Sequence, residues 1–267
     1  MDKRWKQTTK LIPSGVQTLS KMPSKYVKGV YPIYIEGGSG CYVYDKDFKV
    51  YTDYPCALGA ITLGYNFRPV TEAVKSQLGD GTLFSLPSYK ETELAQTLVD
   101  IIPSAEQVRF LKTGSEATSA AIKIARSYTG KKTVLYCGYH GWHDCYTVRT
   151  QKNKGIPKEM AYLTQPFKYN DIDSLKRLFE RFFDVACVIM EPYVFEKPED
   201  GFLEEVRKLT HKNKALLIFD EVVTGFRTPH MSAQKWLQIT PDLSTFGKGM
   251  ANGFPMACVV GKKKYVK

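Results

Sequence analysis

An α/β fold with a mostly parallel sheet is predicted for this 267-residue chain on three observations. Apolar runs of five or six residues recur, among them 185–190 (VACVIM) and 215–219 (ALLIF), and strands buried on both faces need such runs. Amphipathic stretches of helical period separate them, as a sheet covered by helices demands. Glycine-bearing turns follow several of the runs, which marks the strand ends where open α/β sheets bind ligands.

Taken in order, residues 1–35 read as a polar helix and then an irregular segment broken by Ile12-Pro13-Ser14-Gly15, Met22-Pro23 and Tyr31-Pro32. Residues 33–54 alternate in the manner of short strands, with turns at Gly37-Gly38 and Asp45-Lys46-Asp47. Beyond Pro69, helices are predicted at 70–78 and 90–101, a strand at 108–112, a helix at 116–128 and a strand at 133–137. A helix at 171–183, a strand at 185–190, a helix at 203–213 and a strand at 215–219 continue the alternation, and strands at 243–246 and 256–260 complete it. Crossovers between parallel strands should be right-handed. The expected division is an N-terminal helix and small-strand segment, 1–55, and a large domain, 56–267.

Lysine and arginine total 38 against 27 for aspartate and glutamate, a net charge of +11. The basic residues are scattered, with one cluster at Lys262-Lys263-Lys264, so the charge reads as a solvated surface rather than a nucleic-acid site. A phosphorylated cofactor or a carboxylate substrate would tolerate this field. No apolar run approaches the ~18 to 20 residues of a membrane span, and the N-terminus leads into polar sequence, so a cytoplasmic protein away from membranes is expected. Six cysteines without a C-x-x-C pair suit reduced, mostly buried thiols. Cys137, His140, His143 and Cys145 offer zinc-type ligands close together, but structural zinc usually draws on two separated pairs, and no metal is expected.

Four segments at predicted strand ends carry the chemistry. After 108–112 comes Thr113-Gly114-Ser115-Glu116-Ala117, a glycine turn opening an alanine-rich helix. Free N–H groups and the helix dipole there suit a phosphate on Gly114 and Ser115; an N-cap by Ser115 is the plain alternative. After 133–137 comes Gly138-Tyr139-His140-Gly141, whose glycines let backbone and aromatic ring approach something flat, or simply make a surface turn. Strand 215–219 runs into Asp220-Glu221-Val222, with Asp220 and Val222 on one face. An acid at the end of an apolar strand needs a cation or donor. A protonated heterocyclic nitrogen supplies one, with Val222 packing on its ring; a capping role is the plain reading. Glu191, after 185–190, repeats the pattern. Last, Gly247-Lys248-Gly249 sets one lysine between glycines, which clear room for an imine. Desolvation would make Lys248 a Schiff-base amine, although in isolation it reads as a loop lysine. A phosphate seat, a stacking aromatic, an acid for a ring nitrogen and an amine are together what pyridoxal phosphate needs.

Further segments carry a family resemblance: Leu11-Ile12-Pro13-Ser14-Gly15-Val16, Tyr42-Val43-Tyr44-Asp45, Tyr51-Thr52-Asp53-Tyr54, Leu63-Gly64-Tyr65 and Val108-Arg109-Phe110. With Gly114-Ser115-Glu116-Ala117, Tyr139-His140-Gly141, Asp220-Glu221-Val222, Thr224-Gly225-Phe226-Arg227, Gly247-Lys248-Gly249 and Asn252-Gly253, they run nearly the whole chain. The chain resembles the class III, fold-type I pyridoxal-phosphate aminotransferases, most of all the glutamate-1-semialdehyde 2,1-aminomutases. The resemblance implies an aspartate aminotransferase-like large domain and pyridoxal 5'-phosphate as cofactor. It makes Lys248 the amine that forms the Schiff base and moves protons, and Asp220 the partner of the ring nitrogen. Tyr139 and Val222 would flank the ring, Gly114 and Ser115 would bind the phosphate, and Glu191 would support Asp220 or the ring hydroxyl. It further implies a homodimer and a small amino, keto or aldehyde substrate. A class III transaminase acting on an amino sugar or ω-amino acid is the alternative.

Two departures stand out. Asp47-Phe48-Lys49 replaces the family's Asp-Gly turn, and Lys112-Thr113-Gly114-Ser115 replaces a more usual Asn-Ser-Gly-Thr. The family also continues well past the lysine. The readings are a partial sequence, a separate chain supplying the C-terminal domain, or a non-catalytic relative needing a partner, the first two being favoured.

Overall fold

The computed structural model describes residues 3–193 and 195–266, in two units, Met1–Thr82 and Leu83–Lys267. The first unit holds α1 (Lys3–Leu11), a three-stranded sheet of β1 (Gly37–Ser39), β2 (Tyr42–Tyr44) and β3 (Val50–Thr52), and α2 (Arg68–Asp80). Both strand pairs are antiparallel. The expected turn at Gly37-Gly38 is instead part of β1, paired with Tyr44 and Val43. The reason is steric: a Cβ on Gly37 would stand 2.2 Å from the Tyr44 hydroxyl, so the glycine serves ring packing across the ladder. The turn after β2 falls where expected. Asp45 Oδ1 accepts the N–H groups of Asp47 and Lys49 at 2.9 and 3.1 Å. Phe48 takes the left-handed position there at φ 58°, where glycine would carry less strain.

The second unit runs α3 (Tyr89–Ile101), β4 (Gln107–Leu111), α4 (Gly114–Thr129), β5 (Thr133–Cys137), β6 (Thr164–Pro166), α5 (Ile172–Arg181), β7 (Val185–Met190), α6 (Phe202–Lys212), β8 (Leu216–Asp220), β9 (Leu243–Phe246) and β10 (Ala257–Gly261). Seven strands form one sheet in the order β4-β10-β9-β8-β7-β5-β6. The β6, β5, β7, β8 and β9 neighbours pair in parallel, whereas β10 is antiparallel to both β9 and β4. Two antiparallel pairings in succession restore direction, so β4 runs with the parallel set. This is the α/β class with the mostly parallel sheet. Among its strands β6 is the one absent from the sequence pattern, being three residues at an edge with a proline, which only an edge tolerates.

Strand alternation sorts the core. Val188, Met190, Leu217 and Phe219 join Leu175, Phe179, Leu203 and Val206 of α5 and α6 on one face. Cys187, Ile189, Leu216 and Ile218 join Ala121, Ile122 and Ala125 of α4 on the other. Continuous apolar runs were needed because both faces are covered. All six thiols are free; Cys137, Cys187 and Cys258 are buried, which pushes each up to about 12. Among the described residues, no helix is long and apolar enough to cross a membrane.

Leu217 is fully buried in the central strand. Leu217→Ala should destabilise the fold by about 2–5 kcal/mol, read from urea unfolding; a loss under half a kcal/mol would contradict the packing described.

Candidate active site

Because β4, β5, β7, β8 and β9 run the same way, their C-terminal ends lie along one edge of the sheet. That edge carries Gly114 and Ser115 after β4, Tyr139 and His140 after β5, Glu191 after β7, Asp220 at the end of β8 and Lys248 after β9. Residues up to 134 positions apart in sequence, from Gly114 to Lys248, thus face a common region. Neighbouring strands are spaced about 4.8 Å apart, so Asp220 and Lys248 leave adjacent strands.

Asp220 is 3% exposed. Its Oδ1 accepts the Val222 N–H and the Thr245 hydroxyl, each at 3.1 Å, and its Oδ2 lies 2.8 Å from Nδ1 of His140. His140 is 2% exposed, and its Nε2 is 3.1 Å from the Cys137 carbonyl. A carbonyl only accepts, so Nε2 carries a hydrogen. A second proton then sits between Nδ1 and Oδ2, on one or the other. The sequence placed His140 only within a glycine-bracketed turn; its part in holding Asp220 was missed. The available signal was that a buried acid needs a donor, and His140 is the one imidazole within three residues of the end of β5.

Glu191 is buried, and its Oε2 accepts the Tyr139 N–H at 2.9 Å. Burial raises its carboxyl above the usual range, helped by Asp220 and opposed by the Tyr139 N–H and by the charges of His140 and Lys248. Glu191 thus fixes the turn that carries Tyr139, whose ring is exposed. That turn needs its glycines: Gly138 and Gly141 lie at φ 107° and 108°, and a Cβ on them would meet Glu191 Oε2 at 2.5 Å and Ser115 Oγ at 2.4 Å.

The cap of α4 differs from expectation. Thr113, not Ser115, is the N-cap, closing a capping box with Glu116. This frees Ser115, and the N–H groups of Gly114 and Ser115 have no acceptor among the described residues. Val222 packs onto this turn, its methyl carbons 2.9 and 3.0 Å from where a Cβ on residue 114 would stand.

Lys248 is half-buried and sits at φ 45°, after an extended Gly247. Such a left-handed non-glycine residue costs roughly 1–3 kcal/mol and persists where the surroundings over-determine it. Burial lowers its ammonium below the ordinary lysine range; Asp220 and Glu191 oppose that shift and Arg227 reinforces it. The amine, both acids and Arg227 therefore share one electrostatic neighbourhood. Chemically the edge offers an amine less basic than an ordinary lysine, a buried acid and a pair of open N–H donors. The four zinc-type side chains are used differently. His140 bonds Asp220 and His143 bonds Ser119, and no group of three or more metal-ligating side chains gathers among the described residues.

The protein-family model described as "Aminotransferase class-III" matches residues 24–267. The 3-aminobutyryl-CoA aminotransferase of Cloacimonas acidaminovorans (strain Evry) is 41% identical, over 98% of this chain and 64% of its own length. Glutamate-1-semialdehyde 2,1-aminomutase 2 of Exiguobacterium sp. (strain ATCC BAA-1283 / AT1b) is 38% identical over the same shares. Among solved structures, an omega-transaminase from Sphaerobacter thermophilus superposes with a TM-score of 0.89 at 31% identity, over 98% of this chain and 63% of that one. FumI of Sphingopyxis sp. MTA144, solved in a PLP internal aldimine form, gives 0.90 at 31%, over 98% and 64%. The chain spans about 64% of the length of the curated relatives it matches. A parallel-sheet edge with this ordered set of residues and a family match over residues 24–267 lead to one conclusion: the chain belongs to the class-III aminotransferase family.

Proposed function

We propose that this chain carries out amino transfer with pyridoxal phosphate at the strand-end site, with Lys248 as the amine that holds it. The observation that carries the reading is Lys248 itself, kept in a left-handed conformation with its ammonium destabilised, in the electrostatic reach of Asp220 and Glu191. The residues present suit the cofactor. Gly114 and Ser115 offer unpaired N–H groups at a helix N-terminus, as a phosphate requires. A carboxylate has about four acceptor positions; protein donors occupy three on Asp220, which leaves one for a protonated ring nitrogen. Relatives solved with PLP support the same choice.

Pyridoxal phosphate, when bound, supplies a ring that accepts the electrons left as a proton departs the amine-bearing carbon. The chain's residues do the rest. Lys248 Nζ, less basic than an ordinary lysine, takes that proton and returns it. Asp220 keeps the ring nitrogen protonated, and His140 and Thr245 keep Asp220 aimed. Val222 would pack on one face of the ring and Tyr139 on the other, the backbone of Tyr139 being steadied by Glu191 through its N–H. A homodimer belongs to this reading, supported by the exposed apolar side chains of Leu83, Leu86 and Tyr89, and sedimentation equilibrium checks it.

Two substrate classes follow from the relatives. An aminomutase-type reading takes a semialdehyde as its own donor and acceptor. A second reading, an amino group moved from a 3-aminoacyl-CoA thioester, is favoured by the 41% relative and by the net charge of +11, which suits a polyanion. Glutamate-1-semialdehyde supplied alone, against 3-aminobutyryl-CoA with a 2-oxo acid, separates them by product analysis.

Pyridoxal phosphate followed by borohydride should add one covalent label, found by peptide mass on Lys248. Because the lysine's proton affinity is lowered, labelling should set in at a pH where an ordinary exposed amine is still protonated. Lys248→Ala should lose label and turnover together, and a variant that still turned over normally would refute the role. Asp220→Asn, which keeps the shape but not the charge, should cut turnover on the order of 10²-fold with the label retained.

A further inference from the structure

We propose that Glu221 is a positioning residue, whose buried carboxylate closes the 222–232 loop at both ends and so holds Val222 and Arg227 at the strand-end site. The loop-closing part stands on geometry alone; its bearing on a cofactor rests on the function proposed above. Glu221 follows the last residue of β8, shares no hydrogen-bond partner of its side chain with Asp220 among the described residues, and is fully buried. At the start of the loop, Oε2 accepts the Thr224 hydroxyl at 3.1 Å. At its end, Oε2 accepts the Ala233 N–H, and Oε1 accepts the Gln234 N–H at 3.3 Å and Nε2 of Gln234 at 2.8 Å. Gln234 extends the tie, donating to Ser244 Oγ on β9 at 2.9 Å and accepting the Ser104 N–H at 2.9 Å.

Every group on Glu221 is a donor, which suits an ionised carboxylate and no neutral replacement: an amide in its place would set N–H against N–H. The loop needs such a clamp. Phe226 and Met231 lie at φ 59° and 63°, a region that bulky side chains keep only when held there. The Phe226 N–H donates to the Met231 carbonyl at 2.8 Å, closing a turn that contains Arg227. Arg227 Nε in turn donates to the Val223 carbonyl. Lys248 feels Asp220, Glu191 and Arg227; Arg227 lies within the loop, and its charge makes the amine less basic. Loosening the clamp should therefore move a cation off Lys248.

The test uses Glu221→Gln in the full chain, with circular dichroism to show that it folds. Acetylation of Lys248 by acetic anhydride across pH, read by peptide mass, needs no cofactor and reports its basicity. Its pH midpoint should rise in Glu221→Gln. Arg227→Gln should raise it likewise, and the double variant should add little beyond either. Affinity for pyridoxal phosphate should fall on the order of tenfold in Glu221→Gln, as when a buried hydrogen-bonding group loses its partner. Should Glu221→Gln fail to fold, Thr224→Val removes a single loop donor and should move the midpoint in the same direction by less. A folded variant with the wild-type midpoint would overturn the proposal. A raised midpoint in a protein that takes no pyridoxal phosphate would keep the clamp and sink the cofactor reading instead.

Discussion

A carboxylate buried at the end of a central strand is unstable unless donors surround it, and the site is organised by how Asp220 meets that demand. Its partners come from three places: its own following turn, the neighbouring strand β9 through Thr245, and the turn after β5 through His140. Each bond ties down a segment that carries another site residue. Val222 is fixed by its N–H, and Thr245 lies three residues before Lys248. His140 sits beside Tyr139. The acid is thus both a chemical group and the point where three chain segments are pinned.

The same economy recurs around it. Glu191 spends its carboxylate on the Tyr139 N–H, and Glu116 closes the cap that leaves Ser115 unengaged. Backbone strain accompanies these ties. Lys248, Phe226 and Met231 all adopt the left-handed conformation without being glycine, and they cluster at the strand ends and in the loop beside them. Elsewhere the sheet is relaxed, apolar and covered on both faces.

Most elements of the second unit were legible because each left a local mark. The runs 133–137, 185–190 and 243–246 coincide with β5, β7 and β9. The helix expected at 116–128 lies within α4. Where local marks were ambiguous the reading slipped. Gly37-Gly38 looked like a turn because a glycine pair allows one, yet the space it leaves is filled by the tyrosine rings of neighbouring residues. Thr113 and Ser115 are both plausible caps, and only the backbone course decided that Thr113 is the one. His140 was legible as a residue in a turn but not as the partner of an acid 80 positions away.

By itself, then, the amino-acid order determined most of the strands and helices of the second unit, and which residue types stand at the strand ends. Those depend on periodicity and on turn chemistry within a few residues. Tertiary structure alone decided that the five ends share one edge, through the antiparallel β10 that lets β4 run with the parallel set. It also decided which donor each buried acid receives. Such pairings join residues far apart in the chain, and their partners are selected by burial and geometry, which no local pattern encodes.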